Sequence, residues 1–166
     1  QKDDMTAEIY PAYLESDLCI LATPLYHYTL NAQMKAFIER TLPIVEPFFI
    51  EEDGVTSHPT RVPLPATVVL SCAAFPEESV FDQLRSYVRF LFSENLVAEI
   101  YRTGSEMLSR GGSNEAVADV LAALTQGGRE LAESKTISPD TLGRIEQPLT
   151  DFNGMAPVTN LAWRTC

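Results

Sequence analysis

The sequence predicts an α/β domain built on a mostly parallel sheet. The main observation is that short, nearly continuous apolar runs alternate with amphipathic segments of helical period. A chain of 166 residues is the size of one domain, and 45% hydrophobic against 21% charged residues is enough to build a core. There is no internal repeat and no low-complexity tract, so residues 1–166 read as a single domain.

Residues 3–15 predict a helix: Asp3 or Asp4 can cap it, and Met5, Ile9 and Tyr13 recur at helical spacing. Pro11 lacks an N–H and must kink this helix or delay its start. Residues 17–23 are almost wholly apolar, as in a strand buried between two helical layers. Asn31 can cap a helix with Met34, Phe37, Ile38 and Leu42 inward, Lys35, Glu39 and Arg40 outward, and Pro43 as its stop. Residues 66–72 repeat the buried-strand pattern. Pro76, followed by Glu77 and Glu78, suits the first turn of a helix whose apolar stripe is Val80, Leu84, Val88 and Leu91. Residues 97–102 form a third strand. Ser113 opens a long helix with Val117, Val120, Leu121, Leu124 and Leu131 inward, in which Gly127-Gly128 costs about 1 kcal/mol per Gly relative to Ala. Ser138-Pro139 starts a short last helix, and residues 148–166 read as an irregular tail.

The stretch 43–65 is too long for an ordinary helix-to-strand connection. It holds five prolines (43, 47, 59, 63 and 65), the apolar triplet Phe48-Phe49-Ile50 and a turn signal at Asp53-Gly54. Its apolar content argues against disorder and for a long arm. Burying each of those apolar side chains is worth roughly 1.5–3 kcal/mol, so the arm is expected to pack on a second copy of the chain, giving a homodimer or higher homo-oligomer. The competing reading is a lid folded back on its own sheet.

Charge narrows the partners. Lys plus Arg is 12 and Asp plus Glu is 23, a net charge of −11, which opposes binding to nucleic acid or an anionic membrane surface. No apolar run approaches the ~20 residues that span a bilayer. Cys19, Cys72 and Cys166 are too widely and irregularly spaced for a disulfide framework and suit reduced thiols in the cytoplasm. His27 and His58 lack spaced acidic or thiol partners, so no metal site is expected; no G-x-S-x-G, H-E-x-x-H or C-x-x-C occurs.

Open parallel sheets bind ligands beyond the carboxyl ends of their strands. Here those ends are residues 23–29, 71–75 and 103–105. The first carries Tyr26, His27 and Tyr28 behind Pro24, three rings that a loop cannot bury together. Such a loop offers flat faces for stacking and free backbone N–H groups for a planar heteroaromatic cofactor. The alternative is that Tyr26 and Tyr28 pack the loop on the next helix. Arg61 could meet a phosphate or stand as a solvated loop charge, and Cys72 could be reactive or a small buried hydrophobe.

Asp3-Asp4-Met5, Ile9-Tyr10, Asp17, Thr23-Pro24-Leu25-Tyr26-His27-Tyr28 and Gln33-Met34-Lys35-Ala36-Phe37-Ile38-Glu39-Arg40-Thr41 together resemble the flavodoxin-like NAD(P)H-dependent FMN reductases, which include quinone reductases and iron–sulfur flavoproteins. The resemblance is dense over residues 3–41 and architectural over 66–102. It implies a flavodoxin-like open parallel sheet with helices on both faces, of strand order 2-1-3-4-5. The three strands here would be the third, fourth and fifth, with the first two strands and their phosphate-binding loop lacking, so that the chain is N-terminally incomplete. It implies hydride transfer from NADH or NADPH through FMN to a quinone, flavin or similar small-molecule acceptor. By the same resemblance the cofactor contacts are Pro24, Leu25, Tyr26, His27 and Tyr28 in the first loop, and Cys72, Ala73, Ala74 and Phe75 in the second. In the iron–sulfur branch the cluster cysteines lie just before the Asp-Asp-Met segment, so the sequence from Asp3 onward does not choose between the branches. Two alternatives are a flavodoxin-like interaction domain without catalysis and an FMN electron carrier.

Overall fold

Parallel pairing of the three apolar runs organises the molecule, a computed structural model of which describes residues 4–110 and 114–164. In chain order the elements are α1 (Tyr10–Leu14), β1 (Leu18–Pro24), α2 (Ala32–Arg40), β2 (Ile50–Glu52), β3 (Val55–Ser57), β4 (Ala66–Cys72), α3 (Asp82–Phe92), β5 (Leu96–Arg102), α4 (Glu106–Arg110), α5 (Glu115–Ser134), α6 (Pro139–Glu146) and α7 (Phe152–Arg164). The main sheet runs β1-β4-β5, all parallel, with Leu18 opposite Ala66 and Pro24 opposite Cys72. One face packs Leu21, Val69 and Tyr101 against Phe81, Leu84 and Val88, with Met34, Phe37 and Ile38 of α2 alongside. The other packs Val68 and Ile100 against Ala123, Leu131 and Ile145. Three parallel strands between helical layers agree with the flavodoxin-like arrangement.

Several elements differ from the sequence expectation for local reasons. Pro11 does not delay its helix but changes its winding: the chain is helical from Met5, Met5–Ile9 is wound as a π-helical turn with Tyr10 N–H donating to Met5 O, and α1 follows with Pro11 in its first turn. β1 is buried on only one face, since the second layer centres on β4 and β5 and leaves Ile20 55% exposed. The helix capped by Asn31, whose Oδ1 accepts from Met34 N–H at 2.9 Å, ends at Arg40, so Leu42 is exposed and Ile44 is buried instead. A 3₁₀ turn over Glu78–Phe81 follows Pro76 and re-phases the helix, so Phe81 enters the core and Leu91 faces out. Leu121 is likewise exposed, its expected place taken by Ala123. Ser113 lies outside the described residues; the cap of α5 is Asn114, whose Oδ1 accepts from Ala116 N–H.

Gly127 has a packing role that propensity does not reveal. A Cβ there would sit 3.3 Å from Ile145 Cδ1 and 3.5 Å from Thr141 Cγ2, so the missing side chain lets α6 approach α5; at Gly128 the space is open. Polar contacts fix the same pair of helices. Glu130 accepts from Ser138 N–H (2.8 Å) and Thr141 Oγ1 (2.8 Å), while Arg144 donates to Asp119 and Gln147 Nε2 donates to Asp119 Oδ2 at 2.8 Å.

The stretch 43–65 is a hairpin excursion: β2 and β3 pair antiparallel around Asp53-Gly54, both at positive φ (50° and 78°) as the Asp-Gly signal requires. His58 Nδ1 lies 3.0 Å from Phe48 O, and its ring sits tilted at 39° against Phe49 with the centroids 4.7 Å apart. Arg61, a possible phosphate partner in the sequence, instead donates to Pro43 O and pairs with Glu46 at 2.9 Å. Residues 148–166 correct the expectation of an irregular tail. Asp151 Oδ1 accepts from Gly154 N–H at 2.7 Å, capping α7, which continues through Pro157. Cys166 lies outside the described residues. Among the described residues no helix is long and apolar enough to cross a membrane.

Candidate functional site

The first strand-end loop is held from below by Thr23, which is buried. Its Oγ1 donates to Pro24 O (3.0 Å) and accepts from Asn31 N–H (3.3 Å), pinning both ends of the loop to the strand. Leu25 N–H donates to Cys72 O at 3.2 Å, so the β1–β4 ladder continues into the loop. Tyr26 and Thr29 then exchange two backbone hydrogen bonds of 3.1 Å, closing a tight turn around His27 and Tyr28. Both central residues are left-handed, at φ 49° and 64°. For residues with a Cβ this costs about 1–2 kcal/mol each, and neither is the Asn or Gly such a turn prefers.

That strained turn presents its rings to solvent. Tyr26 is 61% and Tyr28 53% exposed, and His27 is exposed as well, so much of each ring faces solvent. Leu25 is turned toward the core, and Pro24 is half-buried. In the second loop Ala73 is buried in the core, Ala74 is half-buried, and Cys72 and Phe75 reach the surface. Backbone bonds tie this loop to the end of β5: Ala73 N–H to Arg102 O (2.9 Å), Gly104 N–H to Phe75 O (2.9 Å) and Ser105 N–H to Ala73 O (3.0 Å). The N–H groups of His27, Tyr28, Ala74 and Phe75 have no acceptor among the described residues. Four free donors and several exposed rings therefore meet at the carboxyl edge of the sheet.

Of the residues singled out in the sequence, Tyr28 and Phe75 share one cleft of about 550 Å³; Pro24, Leu25, Tyr26, His27, Cys72, Ala73 and Ala74 do not line it. The rest of its wall is Pro76, Glu77, Ser79 and Val80 from the turn before α3, and Phe152, Met155, Ala156, Thr159 and Asn160 from α7. The α7 contribution was readable as Asp151 followed by Phe152, Met155, Ala156 and Thr159 at helical spacing. Gly154 and Pro157 obscured it, both being poor helix residues.

Arg102 joins the strand ends to this wall. Buried at the end of β5, it donates through Nη1 to Ile145 O (2.9 Å) and Gln147 O (2.6 Å), capping the carboxyl end of α6 and so setting where the chain leaves for α7. Burial pushes its pKa down, opposed by nearby Glu146. On the far side of the sheet, burial holds the thiol of Cys19 up, and burial together with Cys19 pushes Tyr13 up to about 12, so both stay protonated at neutral pH.

Exposed aromatic rings and free amide donors thus lie at the carboxyl edge of an open parallel α/β sheet, the edge at which sheets of this class meet their ligands. Among curated proteins, the chain is similar to the iron–sulfur flavoprotein of Archaeoglobus fulgidus, with 51% identity over 43 residues. The match covers 26% of this chain and 19% of that protein, so the chain spans about a fifth of that relative's length. No family model and no solved structure matches.

Proposed function

We propose that this chain is part of an FMN-dependent oxidoreductase that passes hydride from NADH or NADPH to a small-molecule acceptor such as a quinone or a free flavin. The observation that carries the reading is the strained turn at His27 and Tyr28. Left-handed non-glycine residues persist where the surrounding structure holds them for use, and here the strain displays rings and unpaired N–H groups at the edge where such sheets bind ligands. The similarity to an iron–sulfur flavoprotein supports a flavin as the ligand.

The residues present suit the flavin's ring rather than its phosphate. Tyr26, Tyr28 and Phe75 offer ring faces, and the amides of His27, Tyr28, Ala74 and Phe75 are donors for carbonyl oxygens and ring nitrogens. When bound, the flavin supplies the exchange of a hydride between nicotinamide and acceptor. The chain's own work is to orient that ring, with the turn fixed through Thr23 and Asn31 so that its donors are in place beforehand.

The test uses the full-length protein. Flavin absorbance should accompany the purified protein, and NADH or NADPH should be oxidised when an acceptor is added. Replacing Tyr26 and Tyr28 together by Ala should weaken FMN binding by about 1–3 kcal/mol, the scale of base–aromatic stacking. Unchanged affinity removes the rings from the site. Flavin without nicotinamide oxidation identifies an electron carrier, and no flavin identifies an interaction domain.

A further inference from the structure

We propose that α7 is a hinged lid: it docks only weakly across the carboxyl edge of the sheet, leaves it about the link at 147–151, and is held shut by a ligand that fills the cleft beneath it. The inference concerns movement of this chain, and only the choice of FMN as a probe rests on the oxidoreductase reading. The helix has little to hold it. No described side chain of α7 belongs to either hydrophobic core, whereas α2, which also lacks a fully buried residue, packs Met34, Phe37 and Ile38 on one of them. At the cleft Met155, Ala156 and Thr159 are half-buried and Phe152 is 63% exposed, so α7 has little of the apolar burial that fixes the other helices. The cleft itself, about 550 Å³, is space across which the two walls forgo contact. The docked position also carries a penalty. Thr159 Oγ1 is enclosed without a hydrogen-bond partner among the described residues, while Thr125 and Ser134 bond back one turn to Leu121 O and Glu130 O. Water satisfies that hydroxyl once α7 lifts away. Pro157, inside the helix, lacks the N–H that would bond Asn153 O. The body side of the link is fixed, since Arg102 holds Ile145 O and Gln147 O. Glycines let the link lie close on both sides: a Cβ at Gly104 would sit 3.1 Å from Thr150 Cγ2, and one at Gly154 2.9 Å from Thr150 Oγ1. Movement is thereby confined to the link and α7. A ligand lying between Tyr28 and Phe75 on one wall and Phe152 and Met155 on the other meets the second wall only when α7 is docked, so it favours that state.

Amide hydrogen exchange of the full-length protein, read by mass spectrometry, tests this. An undocked helix of 13 residues with a proline inside does not persist in water, so its amides exchange whenever the lid opens. In flavin-free protein, peptides from 152–164 are expected to exchange well ahead of those from α5, which opens only with the core. Thr159→Val keeps the shape of the side chain and removes the enclosed hydroxyl; it should slow exchange in α7 about 5- to 100-fold, the equilibrium factor for one unsatisfied buried group, and leave α5 unchanged. Thr159→Ser, which keeps the hydroxyl, should not slow it. Saturating FMN should slow α7 in the parent protein without any substitution. Exchange in α7 as slow as in α5, or a rate that Thr159→Val leaves unchanged, would overturn the lid. FMN that binds and leaves α7 exchange as it was would overturn the ligand's part in closing it. A protein that takes no FMN yet shows the Thr159→Val effect refutes the flavin reading and keeps the lid.

Discussion

Replacing His27 by Gly tests whether the turn at the candidate site is held against its own backbone preference. His27 sits at φ 49° with an exposed ring, so the substitution removes little packing. Relief of the left-handed conformation is worth about 1–2 kcal/mol, and the extra freedom of glycine in the unfolded chain opposes it by about 0.5–1 kcal/mol. The net expectation is a gain of about 0.5–1 kcal/mol, which for a chain of this size raises the melting temperature by roughly 2–4 °C per kcal/mol. At Tyr28, φ 64°, the same relief is offset by the half of the ring that is buried, and the net change should be near zero. Urea denaturation followed by circular dichroism measures both. FMN affinity, followed in the same proteins, should fall in Tyr28→Gly and leave the stability ranking untouched. A loss of 1 kcal/mol or more in His27→Gly would refute the reasoning, because the imidazole would then be a structural part of the turn.

The paired glycines of α5 give a second test: Gly128→Ala should stabilise by about 0.5–1 kcal/mol, whereas Gly127→Ala should gain less and Gly127→Leu lose about 1–3 kcal/mol by overpacking against Ile145. Equal gains at both positions in urea titrations would remove the close approach of α5 and α6 as the reason for Gly127. The Glu146 carboxyl, held up mainly by burial, accepts Tyr101 N–H at 3.3 Å. Its folded pKa is raised, so its stabilising balance is fully present below the ordinary carboxylate value and is lost as pH rises through the folded one. Glu146→Gln should therefore be more stable than the parent at neutral pH, with the difference vanishing below pH about 4. Asp119 has the opposite sign, its pKa lowered by Arg144, so the penalty of Asp119→Asn should be present at neutral pH and fade in acid. For the arm, Phe48 and Phe49 are 56% and 71% exposed, and light scattering should find at least a dimer that the double replacement by Asp converts to monomer. A parent that is monomeric at micromolar concentration removes the interface.

The strands were legible because each is a dense apolar run whose neighbours forbid continuation, and residues 66–72 coincide with β4 for that reason. Caps were legible where one side chain does the work alone, as at Asn31 and Ser138. The loop at Pro24–Tyr28 was legible as a ring-bearing strand end, since no loop can bury three such side chains. Sequence could not say that His27 and Tyr28 would both be left-handed, because their φ is imposed by the Tyr26–Thr29 bonds and the Thr23 anchor rather than by their own preference. Nor could it place Gly127, whose value lies in what α6 brings against it. The far wall of the cleft was the largest omission: Phe152, Met155 and Thr159 follow helical spacing, yet Gly154 and Pro157 argue locally against a helix. Composition and local pattern determined the layers and the edge where a ligand would meet the sheet; which residues share one cleft at that edge depended on segments some 80 positions apart, such as those of Phe75 and Phe152, that only the tertiary structure brings together.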